Sequence, residues 1–215
     1  DMAGYQNFVD LVFHRCGVPT YRSGTEDVLR NTVIATVLSA LDAALGGFEQ
    51  RDVLRYLRSV LSPLDADTCD LVENYAVVWN IRGNRWQNAW VNHPDGLRGI
   101  PGEEADARLT ALNEARNLAI YPLIRLSKGF KDATCLAQQV DALRSFLDEI
   151  GLEARLEQLA QLWDAEGDNR SAQILNQLWE ILLSAMEQLY DVLGETVWDS
   201  ATFTRLFSLL LSQYD

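Results

Sequence analysis

The chain is poor in the residues that build metal centres and disulfide frameworks. Its 215 residues include three cysteines and two histidines, and no Cys-x-x-Cys or His-Glu-x-x-His spacing occurs. Zinc sites need such clustered ligands, so the sequence predicts no metal in this chain. The cysteines, Cys16, Cys69 and Cys135, are far apart and odd in number, which indicates reduced thiols and predicts a cytoplasmic protein.

Other absences narrow the function further. No apolar run approaches the roughly 18–20 residues that cross a bilayer. No Gly-x-x-x-x-Gly-Lys-[Ser/Thr] pattern occurs, so the sequence offers no loop to cradle the phosphates of ATP. No serine stands in a motif with a histidine, so no nucleophile is indicated. We therefore expect no catalytic residue in this chain.

Positive charge is also scarce. Acidic residues outnumber basic ones by 31 to 18, which gives a net charge of −13 with histidine neutral. Such a surface repels a phosphate backbone unless positive charge is locally concentrated. The chain by itself is therefore expected to bind DNA only feebly at physiological salt, and the places where arginines gather become the candidate contacts.

Apolar residues recur every three or four positions through most of the chain, which is typical of amphipathic helices. Residues 18–22 are short, β-prone and contain a proline, which predicts one non-central strand. The predicted fold class is all-α, with about eight helices and one short N-terminal strand, and Pro122 is expected to bend the helix that contains it. Asp67 and Asp132 are the predicted caps of their helices. Nine stretches have this helical pattern, close to the predicted total, at residues 5–16, 25–45, 49–61, 67–79, 103–126, 132–150, 152–163, 168–193 and 200–213, the longest of them starting at residue 168 or 169.

The helical period disappears in residues 80–102, where Gly, Asn, Pro and Trp alternate. Irregular segments of this length are usually functional or packed by their own aromatic residues. Arg82, Arg85, Trp86 and Arg98 are the candidate DNA contacts, because guanidinium groups pair with phosphates and indoles stack on bases. The alternative is structural, with arginine stacked on tryptophan to hold the loop, and this is the default expectation.

Two further charged groups have a structural and a functional interpretation. Asp70 and Glu73 fall one helical turn apart, and paired carboxylates can do acid–base or metal chemistry. No third ligand stands at a useful spacing, so we expect a salt bridge or cap that pins the following loop. Arg51, Arg55 and Arg58 form a stripe that is expected to be a solvated helix face rather than a phosphate track.

The most specific stretch runs from residue 70 to residue 86. Its distinctive residues are Asp70, Glu73, Asn74, Tyr75, Arg82, Gly83 and Trp86. The stretch resembles the Leu-Glu-Asn-Tyr … Ile-Arg-Gly … Trp pattern of AddB, the B subunit of bacterial AddAB-type helicase-nucleases. Weaker likenesses follow the same order along the chain, at residues 172–179, 192–195 and 203–206, and residues 5–45 resemble part of the UvrD-like helicases.

The resemblance implies that residues 1–24 are a remnant of the second helicase-like domain and residues 25–215 its helical accessory insertion. It implies a non-catalytic part of an ATP-dependent helicase/exonuclease that processes double-strand breaks for recombination. The implied partners are an AddA-like helicase-nuclease subunit and, through the full complex, DNA. ATP with magnesium and an iron–sulfur cluster would belong to the parent complex, and no cofactor to this chain. Two alternatives stay open: the accessory domain of an active UvrD-like helicase, and a free-standing acidic helical module that binds other proteins.

Overall fold

A computed structural model of the chain describes residues 32–59, 62–165 and 167–214. Within these ranges it contains eight α-helices and no strand, which confirms the all-α prediction. The predicted strand at 18–22, the helix at 5–16 and the boundary at residue 24 lie outside the described residues. The helices are α1 (Thr32–Leu45), α2 (Gln50–Leu57), α3 (Ala66–Val78), α4 (Glu103–Asp132), α5 (Leu136–Glu149), α6 (Leu152–Ala165), α7 (Asn169–Leu193) and α8 (Ser200–Leu211).

Two helices begin at aspartate caps. The carboxylate of Asp65 accepts a hydrogen bond from the backbone N–H of Thr68 at 2.8 Å, and that of Asp199 accepts from the N–H of Thr202 at 2.7 Å. These bonds satisfy helix-terminal donors that have no partner inside the helix, and they lower the pKa of both carboxyl groups. The prediction that Asp67 caps α3 is wrong, because the chain enters the helix two residues earlier and Asp67 lies in its first turn.

The helix that contains Pro122 is longer than predicted. It runs for 30 residues to Asp132 and exceeds α7, which has 25. Pro122 lacks an N–H and so leaves the Leu118 carbonyl without its helical donor, but apolar residues beyond it, up to Phe130, are buried. That burial outweighs one missing bond. Asp132 therefore ends α4 instead of capping the next helix, and α5 begins at Leu136.

The helices share one continuous hydrophobic core. Neighbours along the chain pack on one another, notably α1 on α2, α4 on α5 and α6 on α7, while α1 also contacts α4 and α8. Ile34 and Leu41 of α1 are completely buried, and each such side chain stabilises the fold by about 1.5–3 kcal/mol. Gly129 lets α4 approach α5, since a Cβ there would lie 2.7 Å from the Cβ of Ala142. Within this core α3 also packs on α4, which brings together the two helices that residues 79–102 connect.

One buried hydroxyl makes a testable contribution to stability. Tyr56 is fully buried, and its hydroxyl has no hydrogen-bond partner among the described residues. Burial raises its pKa to about 12, against a smaller opposing effect of Arg155. The folded state therefore disfavours the ionised form: stability does not depend on the titration of this phenol below pH ~10, and it falls as the pH rises from about 10 to 12.

We expect Tyr56→Phe to be neutral or stabilising by about 1 kcal/mol at pH 8, because it removes an unsatisfied polar group. Between pH 8 and 12 the natural protein should lose about 2–3 kcal/mol more than the variant. Urea denaturation of both proteins across this range measures the difference. A constant difference at every pH would contradict the prediction.

Candidate nucleic-acid interface

Residues 79–102 connect α3 to α4 and contain two short 3-10 helices, Gly83–Trp86 and Gly96–Arg98. We term this segment the α3–α4 loop. Irregular backbone leaves N–H and C=O groups without ladder partners, so other groups must satisfy them where they are buried. The side chains that do so determine the shape of the loop.

An aromatic stack fixes the first half of the loop. The ring of Trp90 lies parallel to that of Tyr75 in α3, with centroids 4.4 Å apart and 11° between the planes. Trp86 is fully buried and packs at an angle against Trp90, at 5.7 Å. The guanidinium carbon of Arg116 in α4 lies 5.8 Å from the centroid of the Trp90 ring. The expected arginine–tryptophan stacking is thus present, but its arginine comes from α4 and not from the loop.

The aromatic residues also bind the loop backbone through their polar atoms. The Tyr75 hydroxyl donates to the carbonyl of Asn92 at 3.1 Å and accepts from its N–H at 3.0 Å. The indole N–H of Trp79 donates to the carbonyl of His93 at 3.0 Å. Side chains of α3 and its C-terminus therefore replace the regular hydrogen bonds that the loop lacks.

Asn113 of α4 holds the loop at Trp90. Its Oδ1 accepts from the Trp90 N–H at 2.8 Å, and its Nδ2 donates to the Trp90 carbonyl at 2.9 Å and to the Leu109 carbonyl at 3.0 Å. One side-chain amide thereby satisfies both backbone groups of a buried residue, as a neighbouring strand would. The aromatic stack is in this way attached to α4 as well as to α3.

The second half of the loop folds around His93. Its Nδ1 accepts from the N–H of Asp95 at 3.1 Å, and its Nε2 lies 3.0 Å from the Ile100 carbonyl. Because Nδ1 is the acceptor in the first bond, Nε2 is left as the donor to the Ile100 carbonyl. Arg108 of α4 holds Asp95 through two bonds of 2.9 and 2.7 Å, which lower the pKa of the carboxyl. Gly99 packs so closely that a Cβ would overlap the imidazole.

The glycine of the distinctive stretch has a conformational role. Gly83 has φ +57°, the left-handed region that glycine enters without strain. Its N–H donates to the carbonyl of Phe48 at 2.9 Å, which ties the start of the loop to the turn between α1 and α2. The side chain of Gln50 adds a bond to the Ala76 carbonyl at 2.7 Å. Asn74, from the same stretch, is exposed on α3.

The three loop arginines are exposed. Arg85 donates one hydrogen bond to the carbonyl of Trp79 at 3.1 Å. Within the described residues, the side chains of Arg82 and Arg98 have no hydrogen bond or ion pair. Trp86, the fourth predicted contact, presents no open ring face to a base because it is completely buried.

The two carboxylates of α3 bind an arginine that follows α2 and not the loop. Arg58 donates to Asp70 at 3.1 Å and also to Glu73. The expected salt bridge therefore exists, but it joins two helices instead of pinning the loop. Arg55 likewise pairs with Asp42 at 2.7 Å. The predicted arginine stripe is a solvated face, and because water screens its exposed ion pairs they add little to stability.

Sequence reasoning missed the α4 residues that hold the loop. Asn113 lies 23 residues from its partner Trp90, and Arg108 lies 13 residues from Asp95. No periodic pattern predicts contacts at such separations. Arg116 did carry a signal, since it falls on the apolar face of α4 and is only 4% exposed. Burial lowers its pKa, and its Nη1 has no partner among the described residues.

Two other features would bear on function, a cluster of metal ligands and a helix able to span a membrane. Nowhere in residues 32–59, 62–165 and 167–214 do three or more His, Cys, Asp or Glu side chains converge as metal ligands would. Among the helices of these ranges, none combines the length and apolarity that crossing a membrane demands.

No family model matches the chain. Curated proteins from several bacteria nevertheless match along all of it, each named as the B subunit of an ATP-dependent helicase/deoxyribonuclease. The identity is 26% for the protein of Clostridium botulinum (strain Hall), 28% for that of Ruminiclostridium cellulolyticum and 26% for that of Caldanaerobacter subterraneus subsp. tengcongensis. Each match covers 100% of this chain and 19% of the relative, so the chain spans about a fifth of the length of the curated relatives it matches. The predicted resemblance is confirmed, and the chain is a homologue, over its whole length, of the AddB-type B subunits of ATP-dependent helicase/deoxyribonucleases.

Proposed function

We propose that this chain is a non-catalytic helical module of an AddB-like protein, in an ATP-dependent helicase/exonuclease that processes double-strand DNA ends for recombination. The similarity to B subunits over the whole chain supports this proposal. Residues 25–215 would form the accessory insertion of the second helicase-like domain, and residues 1–24 a remnant of that domain. ATP hydrolysis and strand cleavage would reside elsewhere in the complex, which includes an AddA-like subunit.

The observation that carries the DNA part of the proposal is the unpaired positive charge on the α3–α4 loop. The chain has a net charge of −13. Arg108, which holds the loop from α4, is neutralised by Asp95, and Arg58, which follows α2, is neutralised by Asp70 and Glu73. The loop arginines have no carboxylate partner within the described ranges. A guanidinium in this state is suited to a phosphate oxygen.

The position of Arg82 and Arg85 on a fixed turn favours binding to DNA. Arg82 precedes the first 3-10 helix and Arg85 lies within it, next to the buried Trp86. The stacked rings of Tyr75 and Trp90 and the hydrogen bond between Asn113 and Trp90 hold this turn in place. Contacts from a fixed loop lose little conformational freedom on binding. Contacts to phosphates position a nucleic acid without reading its sequence. The module would therefore act as a scaffold for DNA in the complex. Arg98 is a third candidate contact.

The double variant Arg82→Ala/Arg85→Ala should weaken DNA binding by the complete complex. On duplex DNA, the logarithm of the binding constant falls with the logarithm of the salt concentration, and each lost phosphate contact makes this slope less steep by about 0.9. We therefore expect the slope to become less steep by about 2, with an unchanged melting temperature. Titration of a labelled DNA end at several salt concentrations measures the slope.

The matched control is Arg144→Ala/Arg205→Ala, which removes the same charge from exposed positions on α5 and α8. It should change the slope by much less. Equal slopes for the two double variants would refute a specific role of the loop, and a melting temperature lowered only in the loop variant would assign Arg82 and Arg85 a structural role.

A further inference from the structure

The second half of the α3–α4 loop presents an apolar surface that the arginine contacts do not use. Leu97 is 91% exposed and Ile100 84%, the highest values for large hydrophobic side chains among the described residues. The loop reaches α3 at this point, since a Cβ on Gly96 would lie 3.3 Å from Cγ1 of Val78. Leu97 directly follows Gly96, so the exposed segment begins beside Val78 at the C-terminal end of α3.

Two exposed apolar residues lie on one face of α3, whose C-terminal end meets the loop at Gly96. Leu71 and Val78 are both exposed, and seven residues are close to two helical turns, so they share one face. We term Leu71, Val78, Leu97 and Ile100 the tip surface. Single exposed aliphatic residues are ordinary, but adjoining ones indicate a surface that binds another molecule.

The tip surface stands on a rigid base. The imidazole of His93 bridges the Asp95 N–H and the Ile100 carbonyl, and Gly99 packs on its ring. Arg108 ties Asp95 to α4. The backbone is thus fixed from inside, while the outward side chains contact little of the chain itself. A preformed apolar surface loses little conformational entropy when a partner covers it.

The chemistry of the tip surface fits protein better than nucleic acid. The side chains of the tip surface are aliphatic. The aromatic rings of the loop, which could otherwise stack on bases, are buried at Trp86 and Trp90. Arg98 lies between Leu97 and Ile100 in the chain and has no partner among residues 32–59, 62–165 and 167–214. The complementary surface is therefore apolar and presents a carboxylate.

We propose that another domain of the same, longer polypeptide covers the tip surface and pairs a carboxylate with Arg98. The proposal rests on the proposed function in one respect, that the chain is part of an AddB-like protein, and the relatives that it matches are about five times as long. With Arg98 engaged in this way, phosphate contact falls to Arg82 and Arg85.

The first test places a photo-crosslinking amino acid at position 97 of the longer AddB-like protein, purified with its AddA-like partner and without DNA. The expected product is an intramolecular crosslink that mass spectrometry maps to a segment outside residues 1–215. A crosslink to the AddA-like partner or to a second copy would overturn the proposal. So would the absence of any crosslink, or one that forms only after DNA is added.

The second test uses Leu97→Asp/Ile100→Asp in the same protein. Two carboxylates in an apolar contact should release it, so that limited proteolysis within residues 91–102 becomes on the order of tenfold faster or more. The control is Val197→Asp, at an 81% exposed position between α7 and α8, which should leave that rate unchanged. Equal rates in the natural protein and the double variant would overturn the proposal.

The supporting result of each test is obtained without DNA, so the two ideas can fail separately. A mapped intramolecular crosslink together with an unaltered salt slope in Arg82→Ala/Arg85→Ala would retain the docking surface and reject the DNA contact. The reverse pair of results would reject only the docking surface.

Discussion

Trp86→Ala is expected to lower the free energy of unfolding by about 3–5 kcal/mol, the usual cost of emptying a buried aromatic site. The indole is fully buried against Trp90 and supports the turn that carries Arg85. Its Nε1 has no hydrogen-bond partner among the described residues, so Trp86→Phe forfeits packing volume but no bond and should cost clearly less. Urea denaturation followed by circular dichroism measures both variants without relying on tryptophan emission.

The control for this prediction is Val91→Ala on the same loop. Val91 is 80% exposed, and surface substitutions of this kind usually change stability by less than about 0.5 kcal/mol. A Trp86→Ala protein of natural stability that had lost DNA affinity would contradict the core assignment. It would instead make Trp86 a base-stacking residue, as one sequence-based hypothesis allowed.

Phe203→Ala should cost a similar 3–5 kcal/mol, on the same order as other buried aromatic truncations. Phe203 of α8 is fully buried, meets the ring of Phe130 in α4 edge-on at 4.8 Å and lies 6.1 Å from the ring of Phe207. This cluster joins the C-terminal helix to the helix that holds the α3–α4 loop. The loss should therefore appear as one cooperative transition at lower urea concentration, measured by the same method.

Leu209→Ala serves as the matched control, because Leu209 is an exposed residue of the same helix. It should leave the transition almost unchanged. If Phe203→Ala instead split the unfolding curve into two transitions, α8 would be a separate unit and the single core described above would be wrong.

Fold class and most helices could be predicted from the sequence because apolar periodicity reports burial directly. The errors arose where two local signals competed. Asp65 and Asp67 both resemble caps, and only the path of the chain into α3 decides between them. The helix that contains Pro122 was predicted to end at residue 126, yet burial of residues on both sides of the proline carries α4 on to Asp132. In each case tertiary packing overrode a local preference.

The candidate site could be predicted only in part. Composition located the loop and its arginines, because a cluster of basic and aromatic residues is conspicuous in an acidic chain. It could not separate Trp86, which is buried, from Arg82, which is exposed, since residue type alone does not fix orientation. The contributions of Asn113 and Arg116 depend on where α4 crosses the loop, and that crossing is a property of the fold.

The decisive measurement is a structure of the longer AddB-like protein, assembled in its complex and bound to a DNA end. We expect phosphate oxygens about 2.7–2.9 Å from the guanidinium nitrogens of Arg82 and Arg85, with Trp86 still buried beneath them. A structure in which both arginines pair with protein carboxylates, or face solvent away from the DNA, would contradict it.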